Sequence, residues 1–208
     1  MNDHDLTADV ASACNDLADL LTGLPPVSWD QPSLCDGWRV REVAAHLTMP
    51  SRCSMPRLAL ELVRSRGNFQ RMADRTARRD APRPVTELLA ALRSAELQTW
   101  KPPGGGYEGA LVHTVVHGLD ITVPLGLGSV VPPERLGGVL QSLTAPRSLK
   151  FFQRDFSGVQ LRAADLEWSW GSGEPVTGDA HTLALVLAGR RPPSASLRGA
   201  LASRFTGL

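Results

Sequence analysis

The spacing of the apolar residues changes in the last third of the chain, and this change decides the fold class. Before it, apolar residues recur every three or four positions, as from Leu17 to Leu21, which is the period of an amphipathic helix. From Val159 to Ala163 and from Leu166 to Trp170 they alternate with polar residues, as in β-strands. We therefore predict an α+β protein, with a four-helix bundle in residues 1–150 and a small α+β unit in residues 151–208.

Prolines and glycines divide the first part of the chain into helices. Pro50 ends or kinks one helix, and Pro56 occupies the first turn of the next. The predicted helices cover residues 6–22, 40–50, 56–78 with a possible break at Gly67, 86–100, 107–123 and 133–143. A last helix is predicted between Asp179, as its N-cap, and Gly189, as its C-terminal stop.

Charge and cysteine content exclude several classes of protein. The 22 basic and 21 acidic residues nearly cancel, which argues against a nucleic-acid or membrane-surface partner. No apolar run reaches the roughly 18 residues that span a bilayer. Cys14, Cys35 and Cys53 form no CxxC pair, so we expect a reducing, cytoplasmic location. Lys101 and Lys150 are the only lysines, a bias typical of GC-rich, actinobacterium-like genomes.

Two histidines four residues apart are the strongest sign of chemistry. His113 and His117 share one face of a predicted helix, with Cβ atoms about 6 Å apart, which suits two imidazoles on one metal ion. His46 lies on another helix, and side chains of facing helices converge inside a bundle. A surface pair or a hydrogen-bonded core pair would have the same spacing, so both interpretations stay open. His4, near the terminus, and His181, in the first turn of the last helix, are not candidates.

Two acidic residues lie close to these histidines in sequence. Glu42 precedes His46 by four residues and could join a metal site, but its place at a helix start favours a capping role. Asp120 follows His117 by three residues. It could hydrogen-bond a ligand imidazole from outside the metal site, or cap the next turn.

Residues 52–93 are rich in arginine. They contain ten arginines and four acidic residues, a net charge of +6. One interpretation is a solvated helix face, and the other is a local site for substrate carboxylates. Arg71 and Arg75 lie four apart on one predicted helix and are the candidates for substrate binding.

Three segments resemble a known family. The segment from Trp29 to Leu47, which contains SLCDGWRVREVAAHL, resembles the N-terminal signature of the maleylpyruvate isomerase-like, mycothiol-dependent proteins of the DinB-like bundle superfamily. The segment LVHTVVHGLDITVPLG, from Leu111 to Gly126, resembles the second metal motif of that family. Residues 161–190 are similar to the small α+β unit often attached to the bundle.

The resemblance implies a bundle that holds one divalent metal ion, usually zinc, through His46, His113 and His117. The isomerase itself carries Glu at the position of His113, whereas His resembles other DinB-like members. Arg39 stands where Ser or Thr usually caps the helix. Three protein ligands leave the fourth position of zinc open, as in catalytic sites. In the resembling enzymes mycothiol binds there as a reactive thiol.

The implied function is a metal-dependent and mycothiol-dependent enzyme of the thiol transferase or cis–trans isomerase type. Its partners would be a small-molecule thiol and a small electrophilic or anionic substrate, and the protein would be a monomer or homodimer. The alternative is a non-catalytic DinB-like metal-binding or sensing protein. In a third interpretation the histidines are core residues and no metal binds.

Overall fold

The computed structural model describes residues 3–129 and 131–207, apart from the side chains of Asp3, His4 and Glu134. The chain packs into two compact units, and the boundary between them in the sequence falls after His117. The domain boundary at residue 150 stays a prediction of the sequence.

The first unit is helical. Its helices are α1 (Asp3–Thr22), α2 (Val40–Leu47), α3 (Met49–Arg52), α4 (Met55–Arg64), α5 (Phe69–Asp80), α6 (Val85–Leu92), α7 (Ala95–Gln98) and the first part of α8 (Gly106–Thr122). Helix α1 packs on α6 and α7, and α2 packs on α5. All residues of α2 after Arg41 are buried, so this short helix lies in the core rather than on the surface.

The second unit combines helices with a sheet. It contains the end of α8, α9 (Pro133–Thr144), α10 (Pro146–Phe152), α11 (Ala180–Leu187), β1 (Val159–Ala163), β2 (Ser169–Gly171), β3 (Glu174–Gly178) and β4 (Leu197–Arg198). The four strands have the order β2-β1-β3-β4. Strand β1 is antiparallel to β2 and parallel to β3, and β4 is antiparallel to β3. Helices α9 and α11 pack on each other. The predicted α+β class, helical first and mixed afterwards, is therefore confirmed.

Most long helices begin and end near the predicted residues, including the break at Gly67 between α4 and α5. The single helix predicted over residues 86–100 is wrong, because Ser94 interrupts it. The Ser94 hydroxyl accepts a hydrogen bond from the backbone N–H of Leu97 at 3.3 Å and starts α7 as a separate helix. Helix α10 was not predicted.

The strand predicted over residues 166–170 begins too early. Residues 164–168 form a turn in which the Trp168 N–H donates to the Leu166 carbonyl at 2.8 Å, and β2 begins at Ser169. Asp179 does occupy the N-cap position of α11, but its side chain does not cap the helix. Asp165 instead accepts from the Ala180 N–H at 2.8 Å. None of the described helices is long and apolar enough to cross a membrane.

Candidate metal centre

The start of α2 fixes the position of His46. The Arg39 N–H donates to the Glu42 carboxylate at 2.8 Å, and the Arg39 guanidinium pairs with the same carboxylate at 2.5 Å. The predicted capping role of Glu42 is therefore confirmed. Arg39 thus replaces the usual Ser or Thr without leaving the helix start uncapped, because the capping carboxylate lies one turn into the helix.

The charge of Glu42 is stabilised although the side chain is buried. Burial acts to raise the pKa of Glu42, but the hydrogen bonds and charge of Arg39 outweigh it and hold this pKa below its ordinary value. The hydrogen bonds of the Glu42 carboxylate thus go to the Arg39 side chain and to the backbone N–H at the helix start. It is not among the potential metal ligands that cluster with His46 in the described part of the chain.

Helix α8 presents His113 and His117 one turn apart. Both imidazoles are half-buried, and the buried apolar residues Leu111, Val115 and Val116 anchor this part of the helix in the core. The spacing of four residues therefore places both rings on one face, at the edge of the core.

The three histidines converge in the first unit. The Nε2 atoms of His46 and His113 are 3.2 Å apart, and the ring of His117 lies 4.8 Å from each of the other two rings, centroid to centroid. One potential ligand atom of each residue lies within 4.8 Å of the others. His46 is only 6% exposed.

This arrangement fits a divalent metal ion with nitrogen ligands. Zinc–nitrogen bonds of about 2.0–2.1 Å in a tetrahedral site place neighbouring nitrogens about 3.3 Å apart. The distance of 3.2 Å between the Nε2 atoms of His46 and His113 is close to this nitrogen–nitrogen distance. An N–H···N hydrogen bond between the two imidazoles also has this length, so the third ring is what favours a metal site over a simple pair.

Two tryptophans lie against the histidines. The Trp38 ring is 5.2 Å from that of His46, and the Trp100 ring is 5.5 Å from that of His113. The indole N–H of Trp38 donates to Asp74 at 2.8 Å and is the main reason why the pKa of that carboxyl lies below its ordinary range. Neither ring contact was predicted, because no local pattern connects these tryptophans with the histidines.

The cysteines have different environments. The Cys35 sulfur lies 3.7 Å from Nδ1 of His117, and this half-buried residue was not predicted to lie near the histidines. Cys14 is fully buried and contacts the Thr114 hydroxyl at 3.8 Å. Burial raises the pKa of Cys14 to about 11, which the Thr114 hydrogen bond only partly offsets. Cys14 is therefore a core residue, whereas Cys35 can influence the orientation of His117.

Asp120 belongs to the second unit, where it is fully buried and forms a bidentate ion pair with Arg190 at 2.8 and 3.0 Å. A hydrogen bond from Asp120 to a ligand imidazole stays a prediction. His181 lies in α11, and it belongs to no cluster of three potential metal ligands in the described residues. The side chain of His4 lies outside the described part of the chain.

The two arginines predicted to bind substrate have unlike surroundings. Arg71 is exposed at the start of α5, where its backbone N–H is capped by Asn68 at 2.8 Å. The Arg75 guanidinium donates to the buried carboxylate of Glu61. The structure thus gives Arg75 a partner within the chain, and the role of both residues toward substrate stays a prediction.

A helical first unit with three converging histidines defines a candidate metal-binding bundle. Residues 10–101 match the family model of the mycothiol maleylpyruvate isomerase N-terminal domain. This match includes the segment from Trp29 to Leu47, which carries His46 and was predicted to resemble the maleylpyruvate isomerase-like family.

Other proteins and solved structures are also similar to this chain. Proteins from two strains of Mycobacterium tuberculosis, both described as uncharacterized, are 26% identical over 226 residues, covering 88% of this chain and 84% of each relative. A crystal structure of a histidine-to-alanine mutant of the mycothiol-dependent maleylpyruvate isomerase matches with a TM-score of 0.62 and 13% identity. A second crystal structure of that isomerase matches with a TM-score of 0.54 and 14% identity. Each match covers 97% of this chain and 94% of the other, and shows a shared fold.

Proposed function

We propose that the protein is a metal-dependent and mycothiol-dependent enzyme of the thiol transferase or cis–trans isomerase type. The observation that carries the proposal is the convergence of His46, His113 and His117, in a chain whose residues 10–101 match the mycothiol maleylpyruvate isomerase N-terminal domain. A divalent metal, most simply zinc, would be held by these three imidazoles, with mycothiol as the thiol and a small electrophilic or anionic molecule as the substrate.

The chemistry requires an open position at the metal. When bound, a divalent metal with three protein ligands would lower the pKa of a mycothiol thiol, giving a thiolate able to add to an electron-poor alkene or epoxide at neutral pH. The imidazoles would serve as neutral nitrogen donors. The rings of Trp38 and Trp100 contact those of His46 and His113 and would help to hold these imidazoles in place.

Metal content is the first test. Elemental analysis of natively purified protein should find about one divalent metal ion per chain. His46→Ala, His113→Ala and His117→Ala should each lower the metal content strongly. His181→Ala is the matched control, because it removes an imidazole from the other unit. Equal metal content in all four variants would refute the site.

Thiol dependence is the second test. The metal-loaded protein should isomerise or conjugate an electron-poor alkene only when mycothiol is supplied, and maleylpyruvate is the first substrate to try because the matching structures are of its isomerase. The His113→Ala variant should lose this activity together with its metal. Activity that persists without a thiol would contradict the proposal.

A second candidate function is a non-catalytic metal-binding or sensing protein, and Cys35 is the observation that favours it. Its sulfur lies beside His117, and a fourth protein ligand would close the metal site. Alkylation of Cys35 distinguishes the two. A thiol that becomes protected when metal is added indicates a closed site, whereas unchanged reactivity supports the open, catalytic one.

A further inference from the structure

A cavity lined by arginines lies beside helices α4 and α5. Its volume is about 590 Å³, within the range of about 300–1,000 Å³ that is typical of small-molecule sites. Its lining residues are Arg57, Leu60, Glu61, Arg64, Arg75 and Arg79. We refer to the four arginines as the arginine cradle. It is distinct in composition from the histidine cluster and shares no residue with it.

The cradle surrounds one buried carboxylate. Glu61 has a side chain that is 5% exposed, and it accepts hydrogen bonds from Arg75 and from Arg79, the latter at 3.0 Å. Arg64 lies 3.5 Å from the same carboxylate. Glu61 therefore holds three of the four guanidinium groups around the cavity while neutralising only one positive charge.

The remaining positive charge is available to solvent. The Arg64 side chain is 56% exposed, and Arg57 forms no ion pair within the part of the chain that the structure describes. Asp80 compensates Arg79, with contacts of 2.8 and 3.0 Å, but it also pairs with Arg52 at 2.8 Å. A concave surface with more positive than negative charge concentrates the local field and attracts anions.

We propose that the arginine cradle binds a small oxyanion with at least two negative charges, either a phosphate or a short dicarboxylate. Guanidinium groups match the geometry of both, because each presents paired N–H donors to paired oxygens. Of the two arginines that the sequence favoured, Arg75 belongs to this site and Arg71 does not. The proposal is independent of the metal centre, so its test needs neither metal nor thiol.

The test compares binding of inorganic phosphate, succinate and chloride at constant ionic strength, by calorimetry and by the shift in melting temperature. Phosphate or succinate should bind and raise the melting temperature, whereas chloride should not. Arg57→Gln should weaken binding about tenfold, the effect of one charge-assisted hydrogen bond. Arg66→Gln is the control, since Arg66 is exposed nearby but lies outside the cavity. The oxyanion affinity of this variant should stay within about twofold of that of the parent.

Glu61→Gln separates a binding site from a purely structural ion network. Removing the carboxylate frees its guanidinium partners, so this variant should melt lower without ligand yet bind the oxyanion about tenfold more tightly than the parent. Binding by phosphate alone would indicate a phosphorylated ligand, and binding by succinate alone a dicarboxylate. Equal effects of all three anions, or equal binding by Arg57→Gln and the parent, would overturn the proposal.

Discussion

The three cysteines differ in burial, and we therefore expect their thiols to differ in reactivity. Burial raises the pKa of Cys14 to about 11, so its thiol stays protonated at neutral pH. Cys35 and Cys53 are half-buried. We expect iodoacetamide at about pH 8 to modify Cys35 and Cys53 and to leave Cys14 unmodified, as measured by mass spectrometry of the peptides. In concentrated guanidinium chloride all three should react, and modification of folded Cys14 would contradict its assignment to the core.

The pairing of Arg39 with Glu42 predicts a dependence of stability on pH. Arg39 lowers the pKa of Glu42 in the folded protein even though burial opposes this. A carboxyl with a lowered folded pKa contributes stability above its unfolded pKa of about 4.3, and this contribution is lost as the pH falls through the folded pKa. Arg39→Ala should therefore lower the free energy of unfolding by about 1 kcal/mol at neutral pH.

Urea unfolding at several pH values checks this prediction. The difference between the parent and Arg39→Ala should shrink as the pH falls through the lowered pKa of Glu42 in the folded parent, because below it Glu42 is protonated in both proteins. The backbone capping bond to Glu42 remains in the variant, so the helix itself should persist. A difference that is constant with pH would show that Arg39 acts through packing rather than charge.

At the scale of elements, the turn between β2 and β3 depends on glycine. Gly173 has φ +126°, and a Cβ at this residue would lie 2.2 Å from the Gly158 carbonyl oxygen. The same oxygen accepts a hydrogen bond from the Glu174 N–H at 2.9 Å. Gly173→Ala should therefore lower the free energy of unfolding by about 2–3 kcal/mol.

Gly126→Ala is the matched control for this turn. Gly126 also has a positive φ, of +68°, but a Cβ there would meet no atom within 4 Å. The Gly126→Ala variant should lose only about 1 kcal/mol of the free energy of unfolding, because backbone strain is its only cost. Chemical denaturation of the two variants measures the difference, and equal losses would mean that the close approach at Gly173 relaxes without penalty.

The length of an element decided how well the sequence predicted it. Helices α1, α5, α8 and α9 span 12 to 20 residues, and their apolar period is visible over several turns. Helices α6 and α7 share one apolar pattern, and only the Ser94 side chain separates them. Strands β3 and β4 are harder to detect, since β3 includes Pro175 and Gly178 and β4 has two residues. These strands form through pairing with β1 and with each other, which a local pattern does not contain.

The candidate site follows the same rule. His113 and His117 are neighbours on one helix, so local spacing predicted them. His46 was predicted from the convergence of facing helices in a bundle and from the resemblance to known motifs. The contacts of Cys35, Trp38 and Trp100 with these histidines depend on how separate segments pack in the first unit. No local pattern connects residues so far apart in sequence.

For the molecule as a whole, the even charge balance conceals an uneven distribution. The chain has a net charge of +1, but residues 52–93 carry +6. The prediction that the protein is not a general nucleic-acid binder depended on the net charge of the whole chain. It therefore says nothing about the binding of small anions. Binding of phosphate or succinate at the arginine cradle should accordingly weaken as the salt concentration rises, since mobile ions screen the exposed part of its field.

The pair of Asp120 and Arg190 ties together distant parts of the second unit. Asp120 lies in the last turn of α8 and is fully buried, whereas Arg190 follows α11 and is 16% exposed in its side chain. Removing one partner of such a pair leaves an uncompensated buried charge. Arg190→Gln should therefore lower the free energy of unfolding by about 3–5 kcal/mol, as measured by denaturant titration.

A second variant separates this structural role from the predicted role of Asp120 toward the metal. Asp120→Asn combined with Arg190→Gln removes both charges and should recover much of the stability lost by Arg190→Gln alone, because two neutral amides are cheaper to bury than one charge. Metal affinity gives the independent readout. If Asp120 also orients a ligand imidazole, metal binding should weaken about 10- to 100-fold in the double variant and remain close to the parent value in Arg190→Gln, which keeps the carboxylate. Equal metal affinity in both variants would restrict Asp120 to its ion pair with Arg190.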